Sequence, residues 1–170
     1  MNCRNCGAAM ELFERRRYYF CTFCGTFSFI EAPAVEGVRV LERSVPGRSC
    51  PLCGALLSKA LLDDVYGVEH CEQCRGLLLT RAVFAEAIPL RRAREPGPPA
   101  PPIPLDVREL KRLVQCPSCR EQMDVHPYYG PGNVVIDTCP RCDLIWLDFG
   151  ELKQITEAGG RDRGWGVARR

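Results

Sequence analysis

Six Cys-x-x-Cys pairs supply all twelve cysteines of this 170-residue chain, and no other feature limits the fold as strongly. The pairs form three sets of two. Fourteen residues separate the pair Cys3 and Cys6 from Cys21 and Cys24, 17 separate Cys50 and Cys53 from Cys71 and Cys74, and 19 separate Cys116 and Cys119 from Cys139 and Cys142. The gaps between sets are longer, at 25 and 41 residues. Two Cys-x-x-Cys turns brought together by a hairpin place four thiolates around one ion, the arrangement of a structural Zn²⁺ site. A rubredoxin-like single iron uses nearly the same four-cysteine geometry and is one alternative. Disulfides or thioredoxin-type redox pairs are another. A redox Cys-x-x-Cys belongs near a βαβ pattern, and none is visible.

Glycine helps the chain leave such a turn because it tolerates positive φ. Gly7, Gly25 and Gly54 follow the second cysteine of a pair, whereas Arg75, Arg120 and Asp143 hold that position in the other three. The segments between pairs read as strands: Met10 to Glu14 and Tyr18 to Phe20, Ser58 to Leu62 and Val68 to His70, Met123 to His126 and Val134 to Asp137. Turn residues separate them, Arg15 to Arg17 in the first module, Asp63-Asp64 in the second and Gly130-Pro131-Gly132-Asn133 in the third. A module of about 30 to 45 residues is too small for a self-sufficient core, so metal must supply the missing stability. The expected fold class is therefore small metal-stabilised β: three zinc ribbons, each a β-hairpin with four-cysteine zinc knuckles, and short helices after ribbons two and three.

After the last knuckle the chain reads Leu144-Ile145-Trp146-Leu147-Asp148-Phe149-Gly150-Glu151-Leu152. Asp148 and Glu151 form a variant of the capping box, with Asp148 expected to cap a short helix ending at Gly159-Gly160. Leu152, Ile155 and Trp146 are expected to fold back on the ribbon. In the second module Thr80 aligns with Asp148 as an N-cap and Phe84 with Leu152. This third module resembles the bacterial zinc-ribbon family named for its likeness to the ribbon of the general transcription factor TFIIB, most closely at residues 116–155. The family signature pairs two Cys-Pro-x-Cys knuckles with a Trp-Leu-Asp-x-Gly-Glu-Leu tail. Here it is met by Cys116, Pro117, Cys119, Cys139, Pro140 and Cys142, then by Trp146, Leu147, Asp148, Gly150, Glu151 and Leu152. The second module matches in its cysteines and Pro51, but Leu78, Ala82 and Val83 replace Trp, Gly and Glu. The first matches only as a generic ribbon. The resemblance implies the ribbon fold and zinc binding. A link to transcription rests on analogy of fold, which does not fix function.

Composition shifts mark the expected organisation: ribbon one at 1–34, a connector at 35–47, ribbon two with a short helix at 48–88, a Pro-rich linker at 89–105, a helix plus ribbon three with its short helix at 106–158, and a basic tail at 159–170. The linker holds seven of the fourteen prolines and reads as a semi-rigid spacer separating ribbon three; a docking peptide for a proline-binding domain is the alternative. Asp106 is expected to cap a helix over 106–114, and Gly37 to Leu41 to add one strand. Arg91-Arg92-Ala93-Arg94 reads as a solvated helix end, with phosphate contact as its alternative.

The formal charge is +2. Twelve thiolates bound to three Zn²⁺ ions bring it to −4, which disfavours a nonspecific nucleic-acid binder. Arg15 to Arg17 beside Tyr18-Tyr19-Phe20 is the best nucleic-acid candidate, since basic residues can meet phosphate while aromatics stack a base. The opposing reading puts Tyr18 and Phe20 in the small core. Neither His70 nor His126 is expected to be a ligand, because each set already has four cysteines. No Ser-His-Asp set, phosphate loop, small-molecule substrate or membrane span is evident, and the N-terminus has no basic or apolar signal region. The expectation is a cytoplasmic, non-enzymatic protein carrying three Zn²⁺ ions at these twelve cysteines. It would act as a protein-interaction adaptor, with nucleic-acid binding and a rubredoxin-like iron electron carrier as alternatives.

Overall fold

The structure, a computed structural model, describes residues 1–13, 18–29, 37–42, 47–101, 103–128 and 132–163. The chain divides into two compact units, 1–36 and 37–170.

Unit one contains ribbon one. Its strands β1 (Glu11–Phe13), β2 (Tyr18–Phe20) and β3 (Phe27–Phe29) form an antiparallel sheet in the order β1-β2-β3. Aromatic rings take the place of an aliphatic core. Tyr18 lies 5.3 Å from Phe13 and 5.2 Å from Phe27, and Phe20 lies 4.9 Å from Phe27. Tyr18 and Phe20 thus serve the core. Arg15 to Arg17 lie outside the described residues.

Unit two joins ribbons two and three in one sheet. Its strands are β4 (Val38–Glu42), β5 (Ser58–Leu62), β6 (Tyr66–His70), β7 (Leu77–Thr80), β8 (Asp124–Pro127), β9 (Val135–Cys139) and β10 (Leu144–Leu147). The order is β4-β5-β6-β7-β10-β9-β8, with every neighbour antiparallel. The seam is β7 against β10, the third strands of the two ribbons. Leu78 and Trp146, each four residues after its ribbon's last cysteine, face one another there, with Leu77 opposite Leu147 and Leu79 opposite Ile145. The pairing is therefore symmetric about the Leu78–Trp146 pair, a pseudo-twofold relation between the ribbons.

Two helices follow the seam strands. The first, α1, spans Arg81–Arg94, and Thr80 caps it by accepting the Val83 N–H at 3.2 Å. It passes residue 88 and continues through Pro89, whose missing N–H costs one helix bond, and Arg92, beyond that point, is buried as Ile88 is before it. The second, α2, spans Glu151–Glu157. Phe84, Ala87 and Ile88 of α1, with Leu152 and Ile155 of α2, share one core with Leu77, Leu79, Ile145 and Leu147. Burial of such side chains contributes about 1.5–3 kcal/mol each.

Three connections differ from the expectation. Ribbon three is not held apart by the proline segment. That segment runs against the end of α2, with the Ala100 N–H donating to the Glu157 carbonyl at 2.9 Å and the Ile103 carbonyl accepting from the Asn133 amide at 2.9 Å. The helix expected over 106–114 is a single 3-10 turn at Glu109–Lys111. The Asp106 carboxylate does accept the Arg108 N–H at 3.0 Å, but Arg112 is drawn away to buried carboxylates and the chain extends there.

Nor is the arginine run at 91–94 simply a solvated end. Arg91 pairs with Asp63. The Arg92 guanidinium is buried and donates to Asp162 at 2.6 and 2.9 Å and to the Ile155 carbonyl. It holds the Asp162 carboxyl below the usual range. The pair therefore contributes fully above the unfolded carboxylate value of about 3.9, and fades as pH falls through the lower folded value. Arg92→Ala is expected to cost about 2–3 kcal/mol, because it removes charge-assisted bonds and strips a buried carbonyl of its donor. Guanidinium denaturation of the metal-loaded chain measures this; a loss under about 0.5 kcal/mol, the range of an indifferent surface site, contradicts it.

Candidate metal centres

Each centre is built from two copies of one turn. In ribbon one the Gly7 N–H donates to the Cys3 carbonyl at 2.9 Å, and the Gly25 N–H to the Cys21 carbonyl at 2.8 Å. The same bond joins Gly54 to Cys50, Arg75 to Cys71 and Arg120 to Cys116, at 2.7–3.0 Å. The residue after each second cysteine has positive φ in all six knuckles: 76°, 71° and 73° at Gly7, Gly25 and Gly54, and 65°, 63° and 55° at Arg75, Arg120 and Asp143. The three non-glycine residues thus accept the left-handed conformation that glycine adopts without strain. A bridge seven residues long precedes each hairpin, at Asn2–Ala9, Ser49–Leu56 and Gln115–Gln122. The three ribbons therefore repeat the same local geometry.

These turns bring together the expected twelve cysteines as three groups: Cys3, Cys6, Cys21 and Cys24; Cys50, Cys53, Cys71 and Cys74; Cys116, Cys119, Cys139 and Cys142. Within each group all sulfurs lie within 4.8 Å of one another. Closest pairs are 3.5 Å for Cys3–Cys24 and Cys6–Cys21, 3.4 Å for Cys50–Cys74, 3.5 Å for Cys53–Cys71 and 3.6 Å for Cys119–Cys139. A disulfide needs about 2.05 Å, so these are separate thiols. A tetrahedron of Zn–S bonds of about 2.3 Å has sulfurs about 3.8 Å apart, and the three groups fit it.

The donor chemistry also calls for a cation. In ribbon one the Ala8 amide favours the Cys6 thiolate, yet Cys24, burial and Cys21 together push that thiol up to about 12. Cys24 is brought down to about 6 by the Thr26 hydroxyl, 3.1 Å from its sulfur, and by the Thr26 amide. Four adjacent thiols cannot all ionise without a positive ion among them, and binding one releases their protons. Backbone donors stand ready for the thiolates in the other ribbons. The N–H groups of Leu52, Cys74 and Ser118 reach the sulfurs of Cys50, Cys71 and Cys116, each at 3.4 Å.

The histidines lie outside these groups. His70 is buried next to Cys71, and burial holds its pKa below the ordinary value. The His126 ring meets the Pro127 carbonyl at 2.9 Å and the Thr138 hydroxyl at 3.1 Å.

Ribbon three has a polar support that the sequence reading missed. The Trp146 indole N–H donates to Asp148 at 2.7 Å, and Arg112 donates to both Asp148 and Asp137. Burial opposes the Arg112 charge, but Asp148, Asp137 and Glu151 outweigh it and hold its pKa above the usual value. The α2 cap also differs from the expectation. Gly150, with φ 88°, is the N-cap and makes no side-chain cap bond. Asp148 instead gives its backbone N–H to Glu151 at 2.7 Å, the reciprocal half of a capping box, while its carboxylate serves Trp146 and Arg112. One signal for this network was in the sequence: Asp137 directly follows the apolar run Val134-Val135-Ile136, within the predicted strand Val134 to Asp137.

Comparison with known families gives one finding. The family described as "Transcription factor zinc-finger", a TFIIB-type zinc ribbon, matches residues 115–158. The matched segment holds all four cysteines of the third group together with Trp146, Asp148 and Glu151. Comparison with curated proteins and with solved structures yields no match.

Proposed function

We propose that this chain is a non-enzymatic adaptor that binds three Zn²⁺ ions and uses ribbon one to engage a protein partner. Closed four-thiolate sites support the non-enzymatic reading. A catalytic zinc keeps an open position beside about three protein ligands, whereas each group here offers four. The match at residues 115–158 supports a setting in transcription.

One observation carries the partner assignment: Phe23, between the two cysteines of a knuckle, is 84% exposed. Leu12 and Phe13 of the same unit are also exposed. Exposed aromatics of this kind form the anchors of protein interfaces. Nucleic acid is the second reading, and charge weighs against it. Arg48, Arg81, Arg91, Arg92, Arg112 and Arg141 each stand against a carboxylate, which leaves less cationic surface for phosphate.

The test compares wild type with Phe23→Ala. Cross-linking capture should recover a protein partner with wild type and lose it with Phe23→Ala, while the metal content of the two stays equal. Generic single-stranded and duplex oligonucleotides should bind more weakly than about 10⁻⁴ M at physiological salt. Tighter oligonucleotide binding that falls steeply with salt would replace the adaptor reading with the nucleic-acid one.

A further inference from the structure

We propose that ribbon one is an oxidative modification site: a hydroperoxide oxidises an exposed sulfur of its four-cysteine group, Cys6 or Cys24, and a buried sulfur of the same group closes a disulfide on it. Access carries the inference. Cys6 and Cys24 are both exposed, whereas none of the eight cysteines in ribbons two and three is. In ribbon two Cys50, Cys71 and Cys74 are buried and Cys53 is half-buried. In ribbon three Cys116 and Cys139 are buried, and Cys119 and Cys142 are half-buried. A hydroperoxide must reach the sulfur itself, and oxidation of a cysteine follows its thiolate character and its exposure. Around a bound cation all twelve sulfurs share the thiolate character. Exposure is what sets ribbon one apart.

The second requirement is a resolving thiol. Each exposed sulfur has a buried one close by: Cys21 lies 3.5 Å from Cys6, and Cys3 lies 3.5 Å from Cys24. Either bond would cross from one knuckle to the other. With hydrogen peroxide as the oxidant the chemistry balances in two steps. The Cys6 thiolate attacks one peroxide oxygen, the O–O bond breaks, hydroxide leaves, and the sulfur becomes a sulfenic acid. The Cys21 thiolate then attacks that sulfur, the S–S bond forms, and the sulfenic oxygen leaves as a second hydroxide. Together the two sulfurs give up two electrons, and the two peroxide oxygens take them. The same steps apply to Cys24 with Cys3.

Oxidation at this point also removes what holds the unit together. Among the described residues of unit one only Cys3, Tyr18 and Cys21 are buried, so two of the three are the resolving thiols themselves. A disulfide leaves two thiolates, short of the four that close a structural site, and the binding free energy that folds the ribbon goes with them. Unit two keeps its fold, because its core of Leu62, Ile88, Leu147 and their neighbours contains no cysteine and its two four-cysteine groups have no exposed member. Phe23 stands between Cys21 and Cys24, so the same oxidation would withdraw the partner surface proposed above. That consequence rests on the partner reading; the modification does not.

The test treats the full zinc-loaded chain with hydrogen peroxide beside a chromogenic zinc chelator, then denatures it in an alkylating agent and maps the cysteines by peptide mass spectrometry. One ion of three should be released first, in step with one disulfide per chain that joins Cys6 to Cys21 or Cys3 to Cys24. At that point the cysteines of ribbons two and three should still be alkylated as thiols, and the backbone amide spectrum of unit two should be unchanged. A thiol reductant with added zinc should restore three ions. First oxidation in ribbon two or three, or disulfides spread evenly over all twelve cysteines, overturns the inference. So does release of that ion to the chelator at the same rate without peroxide, which would make loss of metal, not access to the sulfur, the controlling event. The partner reading is tested separately by Phe23→Ala capture, so the two can fail independently.

Discussion

Cys139→Ser is expected to reduce bound zinc from three ions to two and to unfold ribbon three together with the seam that joins it to ribbon two. Cys139 is buried at the end of β9, opposite Leu144 of β10. Its loss leaves three thiolates and weakens a site whose apparent binding free energy is about 10–16 kcal/mol. That figure reaches or exceeds the whole stability of an ordinary domain, about 5–15 kcal/mol. Ribbon three has no independent core to fall back on, since Ile145, Leu147, Leu152 and Ile155 belong to the cluster that also holds α1. Cys6→Ser, in unit one, should lose one ion as well but leave the seven-stranded sheet folded. Native mass spectrometry gives the ion count, and backbone amide spectra report which unit has lost its structure. A Cys139→Ser chain that keeps three ions, or keeps the β7–β10 seam after losing one, would contradict this account of ribbon three.

Trp146→Ala is expected to cost about 3–5 kcal/mol, the range for truncating a large buried aromatic. Trp146 is fully buried at the pseudo-twofold position. Its ring lies over Gly76 of ribbon two, where any Cβ would collide with the indole. One ribbon therefore needs a glycine so that the other can keep its tryptophan. Truncation opens a cavity at the seam and leaves Asp148 without its 2.7 Å indole donor. Trp146→Phe retains most of the volume and loses only the N–H, so its cost should be nearer about 1–3 kcal/mol. Guanidinium denaturation at saturating zinc separates the two variants. Equal losses would mean that the hydrogen bond, not the packing, carries the effect, and a loss under about 1 kcal/mol for the alanine variant would remove Trp146 from the core of the seam.

Much of the local structure was legible in the sequence. Cysteine spacing gives the three four-thiol groups because a knuckle is a short-range object, fixed by four residues and one left-handed φ. The hairpin of ribbon two follows from strand-like segments on either side of the turn residues Asp63-Asp64, and Thr80 was recognisable as a cap by its alignment with Asp148. What the sequence did not reveal is long-range. The β7–β10 seam joins residues 64 to 70 positions apart in the chain, and neither strand alone states its partner. A hint lay in the continuous apolar runs Leu77-Leu78-Leu79 and Leu144-Ile145-Trp146-Leu147, which suit strands buried on both faces rather than one. The proline segment was misleading for the same reason. Its composition suggests an extended spacer, but whether an extended segment lies free or against a helix depends on what the fold places beside it. The helix over 106–114 was lost to competition, because Arg112 gains two buried carboxylates by leaving helical geometry. Asp148 likewise had the chemistry of a cap, and Trp146 with Arg112 took its carboxylate.

The central claim is that all twelve cysteines are ligands in three closed zinc sites. Elemental analysis combined with native mass spectrometry of the purified chain tests it most directly. Three zinc ions per chain, with no iron and no disulfide, is the result this account predicts. Iron in place of zinc, or fewer than three metals with thiols paired as disulfides, would contradict it.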